Sequence, residues 1–546
     1  MQNNQVFSLD HPVSRKSSAW TAGICWEGKK KMTNKRNILS AILIMIVMAL
    51  FAGLGAASEK TVSWGSLTKP DTLDPGQAWD NTSVFFTTNL YDTLVVLDSE
   101  TLEITPSLAV SWNANENGTI WEFKLRKGVH FHDGSEFNAD SVVFSFQRQM
   151  EKDFPYRYYD FPLFDEIFNN IVSVESVDTH TVVFHLDQPF YPFLATLAAS
   201  PAAIVSPAAV KKHKKAFARN PVGTGPFSFQ LWEKNKRIIL RANPRYWKGK
   251  PDFDQFSFVI NDKPDNLHKL FREQKLDVID SFSISRATGL KNVRWATIKL
   301  IPVLSVTYIA FNLENPNLKK VDIRKALHSA WDQRTLRYVF QGFVKPLASI
   351  IPKGMPGHTT PKTASKLNLA EARSWLQKAK VNEPIKLRFL LSGDSDLEHQ
   401  LVSLYAKNLN RLGIELNIVN VPLEEYEKRI MKGDYDLTLN GWAADYPDPQ
   451  SIISPLFNEK LKQKGLANLS QYRDERMKKL IESLTKEMDK SRRIQKVADI
   501  IQQIDALSLC IPIFQDTTAI IYNNTRIKNI RVTPTDTIRL YKIEKK

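Results

Sequence analysis

The segment NGWAADYPDP, residues 440–449, sets two carboxylates, Asp445 and Asp448, close to a large aromatic, Trp442. Paired carboxylates can carry acid and base work, but a glycosidase pair needs a fixed separation that a sequence does not supply. A single carboxylate beside an aromatic wall can instead hold a cationic group while the ring covers an apolar part of the same guest. A plainer reading is open too. Proline fixes φ and aspartate bonds to nearby amides, so DYPDP also reads as an ordinary surface turn.

The other chemistry-bearing residues are sparser. His130 and His132 in VHFHDG fall on one face of a strand. A metal would need a further ligand, and His180 and His185 lie on another hairpin, so the pair is expected to be partly exposed and no metal is expected. Cys510, in the apolar LSLCIPIF, has no nearby histidine and reads as a small buried apolar residue rather than a nucleophile. There is no G-x-S-x-G elbow, H-E-x-x-H or P-loop. An enzyme is therefore the weaker class, and no cofactor is expected. Trp79, Tyr91, Tyr246, Trp247, Tyr308 and Trp442 sit near turns or strand ends rather than in helical stripes. Gathered at the edges of two lobes, they would suit a pocket that stacks on a ligand.

Several elements must position these residues. KTVSWGSLTKPDTLDP reads as a strand turning at Asp74-Pro75, and SVFFTTNLYDTLVVLD as a helix running into a strand with Phe85, Leu90 and Leu94 buried. In TIWEFKLRK, Trp121, Phe123 and Leu125 alternate with Ile120, Glu122, Lys124 and Arg126, the period of a half-buried strand. Asp133-Gly134 marks a turn, and Asn138 is placed to cap a helix over ADSVVFSFQRQM. A second alternating pair joins at Asp178-Thr179, and an alanine-rich helix follows. FSFQLWE, KRIILRAN and FDQFSFVI read as a meander of strands. The C-terminal half alternates helix and strand: a helix capped near Asp322, a helix stopped by Gly413 and then a strand, and LEEYEKRIMKGDYDLTLNGW repeating that order. The segment after Cys510 is strand-rich and could return to the first lobe.

The chain has 546 residues, 43% hydrophobic and 24% charged, which fits a globular protein of about three domain-sized units. The basic KKKMTNKRN, the apolar run from Ile38 and Gly55-Ala56-Ala57 follow the order of a secretory signal peptide cut after Ala57. An uncleaved membrane anchor is the alternative, and the residues before Met32 could be an over-extended start. Cys25 precedes the apolar run, so no lipid-accepting cysteine follows it. Beyond Ala57 the formal charge is +11, from 67 Lys and Arg against 56 Asp and Glu. These charges are dispersed except in KKHKK, residues 211–215. An exported chain rarely meets DNA, so no nucleic-acid partner is expected, and a solvated face or attraction to an anionic membrane surface fits better.

WEFKLRKGVHFHDGSEFNADSVVFSFQR, with NLYDTL, NPVGTGPF, the NPRYW turn, VTYIAFNL, DIRKALHSAWD and NGWAADYPDP in the same order, resembles the extracellular solute-binding proteins of family 5. These are the dipeptide, oligopeptide and nickel-type receptors of ABC importers. The resemblance implies an α/β, periplasmic binding protein-like two-lobe fold (type II, cluster C) with an additional inserted α+β domain. It places leader and signal peptide at 1–57, the first lobe at 58–100, 221–307 and 511–546, the inserted domain at 101–220 and the second lobe at 308–510. It implies a monomer in the periplasm that delivers ligand to permease subunits in the inner membrane.

By the same resemblance, Asp445 would bond a peptide's α-ammonium group. Gly441 and Ala443 would offer backbone groups, Trp442 would wall a side-chain pocket, and Trp79, Asp80 and Asn81 would face the ligand from the first lobe, with Tyr308 nearby. One departure stands out: where dipeptide receptors anchor the ligand carboxylate with an arginine, this chain reads DSDLEHQL, and Leu439-Asn440 precede the Gly-Trp pair. Peptides longer than a dipeptide, or a different cationic solute, are therefore expected. A nickel, metallophore or sugar receptor is the alternative on the same scaffold; a secreted hydrolase and a membrane-anchored sensor are alternatives of other classes.

Overall fold

Trp64, Phe85, Phe256 and Phe258 come from three separate stretches of chain and pack with ring centroids 5.5 to 6.4 Å apart, beneath one face of the largest sheet. The computed structural model describes residues 59–546 except 99–100, 162–166, 281–283, 360–365, 382, 394, 460–466 and 534. The expected leader, with Cys25, Met32 and the cut after Ala57, lies outside the described residues.

That sheet has seven strands in the order Ala296–Pro302, Thr517–Asn523, Val278–Ile279, Thr61–Ser66, Gln255–Ile260, Arg237–Ala242, Phe227–Glu233. Thr61–Ser66 runs parallel to both its neighbours. A six-stranded sheet follows the order Lys345–Pro346, Cys510–Gln515, Ser305–Phe311, Leu437–Ala443, Ile385–Ser392, Ile414–Val421. Every residue of Ser305–Phe311 is buried, because separate apolar clusters cover the two faces of this sheet.

A four-stranded antiparallel sheet, Ala109–Ala114, Ile120–Leu125, Thr181–Leu186, Ile171–Asp178, packs on the helix Ala139–Met150 around its own core. Trp121, Phe123 and Leu125 are buried there while Ile120 is 41% exposed, as the two-residue period predicts. Asn138 caps the helix in a reciprocal box with Ser141.

Two local expectations are corrected. The alanine-rich stretch is broken into Phe193–Thr196, Ser200–Ala202 and Pro207–His213; Pro201 and Pro207 lack the amide that a continuous helix would need. Lys320, not Asp322, stands at the start of the helix Val321–Ser329, and Asp322 lies in its first turn, where a carboxylate meets the positive end of the helix dipole.

The chain passes between the two large sheets twice at one place. Ala296–Pro302 continues into Ser305–Phe311, and Cys510–Gln515 continues through Asp516 into Thr517–Asn523. The crossings are tied together: the Val303 amide donates to the Asp516 carbonyl at 3.1 Å, and the Gln515 side-chain amide donates to the Val303 carbonyl at 2.8 Å.

Candidate functional site

Beside this double crossing lies a cavity of about 390 Å³. Ala443, Ala444 and Asp445 reach it from the end of Leu437–Ala443, and Val303, Leu304, Ser305 and Asp516 from the crossings. Trp79, Asn81, Thr87 and Tyr91 line it from the start and inner face of the helix Asn81–Leu90. Thr535, Asp536, Thr537 and Arg539 reach it from the C-terminal segment.

The turn that carries Asp445 is fixed from below by its neighbour. Asp448 is buried and accepts from Arg493 Nε at 3.0 Å and Nη2 at 2.5 Å. It also accepts from the Gln450 amide at the start of the helix Gln450–Phe457. Arg493 in turn stacks 4.6 Å from the Tyr191 ring centre, and Tyr446 is buried against the core of the four-stranded sheet. With Tyr446 and Asp448 both turned inward, Asp445 is left exposed on the cavity wall. The two aspartates are therefore not an acid–base pair: one builds the turn and the other faces the cavity.

Two further carboxylates face the same space. Asp516 accepts from the Ser305 hydroxyl at 2.8 Å and from Thr307 at 3.4 Å. Burial raises its pKa. Asp536 accepts from the Thr518 hydroxyl and, at 3.3 Å, from the Asn81 side-chain amide. Burial pushes it up to about 6, with Asp280 and Asp516 adding to the rise. Their donors are neutral hydroxyls and an amide, which stabilise the charged form less than a guanidinium does.

The expected site residues divide. Trp79 is 66% exposed on the cavity rim, and Asn81, Ala443 and Asp445 line the wall with it. Asp80 is instead the N-cap of Asn81–Leu90, accepting from the Ser83 amide at 2.8 Å; this role was legible in its position before NTS. Tyr308 lies in the fully buried strand and packs in the second sheet's core. Its phenol is pushed up by burial, and it does not line the cavity. Gly441 is exposed opposite Thr307, and Trp442 packs half-buried against the second sheet's core; neither lines the cavity. Asp516, Asp536 and Arg539 also line the cavity and were not among the expected residues. Asp516 lies in the strand-rich stretch after Cys510, but nothing local marks Asp536 and Arg539, and Asn81 and Asp536 meet across 455 residues of sequence.

Other singled-out residues are structural. The His132 ring accepts from the Gly223 amide at 3.3 Å and donates to the Gly225 carbonyl at 3.0 Å, with burial lowering its pKa. Asp133 accepts from Ser206 at 2.6 Å. VHFHDG and NPVGTGPF thus clamp one another. Gly223 and Gly225 pass so close to Leu90 and Tyr91 that a Cβ at either would run into that backbone. Cys510 is buried and its thiol is pushed up by burial. Among the described residues no helix is long and apolar enough to cross a membrane.

Comparison with known proteins agrees with this architecture. The profile of the bacterial extracellular solute-binding proteins, family 5, middle region, matches residues 103–463. The Escherichia coli K12 protein named "Probable D,D-dipeptide-binding periplasmic protein" is 30% identical over 442 residues, covering 79% of this chain and 83% of its own length. The dipeptide-binding protein of the same organism is 28% identical over 508 residues, covering 87% and 93%. The structure of HbpA2 from Haemophilus parasuis superposes with a TM-score of 0.82 at 25% identity, covering 89% of this chain and all of that one. The chain belongs to the bacterial extracellular solute-binding proteins of family 5, and it has their two-lobe α/β fold.

Proposed function

We propose that this chain is the periplasmic substrate-binding component of an ABC importer, and that it captures a peptide between two closing lobes and delivers it to the permease. The first lobe is the seven-stranded sheet with its C-terminal segment, the second lobe is the six-stranded sheet with its helices, and the inserted domain carries the four-stranded sheet. The observation that carries the reading is the cavity at the double crossing, where Asp445 and Ala443 from one sheet meet Trp79, Asn81 and Asp536 around one space. Two short crossings tied by hydrogen bonds fit a hinge, and closure is favoured when the guest contacts both lobes.

Asp445 holds the guest's ammonium group. The exposed backbone at Ala443, on the cavity wall, pairs with an extended main chain, a mode that accepts many sequences. Relatives named for dipeptide binding support a peptide as the guest. The protein acts as a monomer and exits the cytoplasm through its N-terminal signal segment.

Mass spectrometry of the ligand released from the purified exported chain tests this. Peptides are expected; a sugar or a metal chelate would replace the reading with the alternative receptor. Turnover of a peptide panel by the protein would instead reveal a hydrolase.

A further inference from the structure

A second charged cluster lies where the four-stranded sheet meets the seven-stranded one. Trp247 is its centre. The Arg126 guanidinium sits 4.2 Å from the Trp247 ring centre and the Lys248 ammonium 4.4 Å from it. Arg539 and Lys542, from the C-terminal segment, also act on Lys248, and Arg539 lines the cavity described above.

The carboxylate that acts on Lys248 is Asp92, and its oxygens are already engaged. They accept from Tyr246 at 2.9 Å, Thr224 at 2.9 Å and Trp247 at 3.0 Å. Among the described residues the Arg126 side chain donates to the Ser107 carbonyl alone, from Nε at 3.1 Å. Among the described residues, none of the four cations forms an ion pair. Burial, with Arg539, Arg126 and Lys542 adding to it, pulls the Lys248 ammonium down to about 8 against the opposing pull of Asp92.

Four positive charges on three separate stretches of chain outnumber the single carboxylate of Asp92 among them, and the remaining repulsion falls when a further anion joins the cluster. The indole relieves part of this through its electron-rich face. Its N–H is turned away to Asp92, so the ring is held with its faces toward the cations. Arg126, Lys248 and Arg539 are each half-buried, close enough to the surface to receive a solute group and dry enough to bind it well.

We propose that Arg126, Lys248, Arg539 and Lys542 form an anion subsite that takes a carboxylate or phosphate group at the rim of the cavity. Arg539 connects it to the cavity, so the anion is the acidic end of the guest whose ammonium meets Asp445. In that form the inference rests on the peptide reading. The guest is then a peptide with a free carboxylate, terminal or in a side chain, and its two ends are held by groups of opposite charge.

Calorimetric titration of the purified exported chain with Ala-Ala-Ala as the free acid, the same tripeptide amidated, and inorganic phosphate alone tests it. The free acid is expected to bind at least about tenfold more tightly than the amide. Arg539→Gln and Lys248→Met are expected to close that gap, while Asp445→Asn weakens acid and amide alike. Circular dichroism melts of each variant establish that it folds. If neither peptide form binds but phosphate does, and Lys248→Met weakens it about tenfold, the subsite stands and the peptide reading falls. Equal binding of acid and amide, with phosphate binding absent or untouched by Lys248→Met, overturns the subsite. So does a Lys248→Met variant that only melts higher, since the cluster would then be mere repulsion.

Discussion

Aspartates do opposite things in two regions of this molecule. In the interior, Asp74 is buried against Arg148, joining the loop before the helix Asn81–Leu90 to the helix Ala139–Met150, and Asp448 is buried against Arg493. Around the cavity, Asp516 and Asp536 are held by hydroxyls and an amide, and Asp445 is exposed. An aspartate matched by a two-pronged guanidinium is committed to structure. One held by neutral donors keeps capacity for an incoming cation, and its pKa rises when burial is not offset.

The largest expected effect breaks the interior side. Arg493→Met leaves Asp448 buried without its cation and should destabilise the protein by about 3–5 kcal/mol, read by urea unfolding. A loss below about 1 kcal/mol would mean that the pair does not build the turn. On the cavity side, Asp445→Ala should weaken peptide binding by about 2–5 kcal/mol while stability stays within about 0.5 kcal/mol. Undiminished affinity in a titration would remove Asp445 from the recognition mode.

The third test separates the regions by pH. Asp536 has a folded-state pKa near 6, above its unfolded value. The folded protein therefore binds more protons than the unfolded one between these values, and the group's contribution to stability falls as pH rises through about 6. Asp536→Asn should flatten that fall, raising stability at pH 8 relative to wild type by at most about 3 kcal/mol. Identical pH profiles in urea unfolding would show that Asp536 does not titrate there. Smallest is Trp79→Ala: with the ring 66% exposed, stability should hardly change, and affinity should drop by about 0.5–1.5 kcal/mol if the ring stacks on the guest. Fluorescence titration reads it.

Much of the fold was legible because its signals are local. The alternation of Trp121, Phe123 and Leu125, the Asn138 cap, Gly413 with φ +78 after the helix Asp396–Asn410 and Gly433 with φ +70 after Leu423–Lys432 each depend on neighbours a few residues away. Tyr308, grouped in the sequence with the pocket aromatics, lies in a central strand covered on both faces, which looks, in sequence, like any apolar run with one polar tip. Asp80, expected to face the ligand, caps the helix Asn81–Leu90 through one carboxylate oxygen.

The sequence by itself determined most of the secondary elements, the family and the turn that presents Asp445, since propensity, capping and period act within a few residues. Tertiary structure alone decided which aspartate meets an arginine and which meets the cavity, and it brought Asp536 and Arg539 to helix Asn81–Leu90 from the far end of the chain. Charge environment depends on distance in space, and here the two strand crossings, not sequence separation, set that distance.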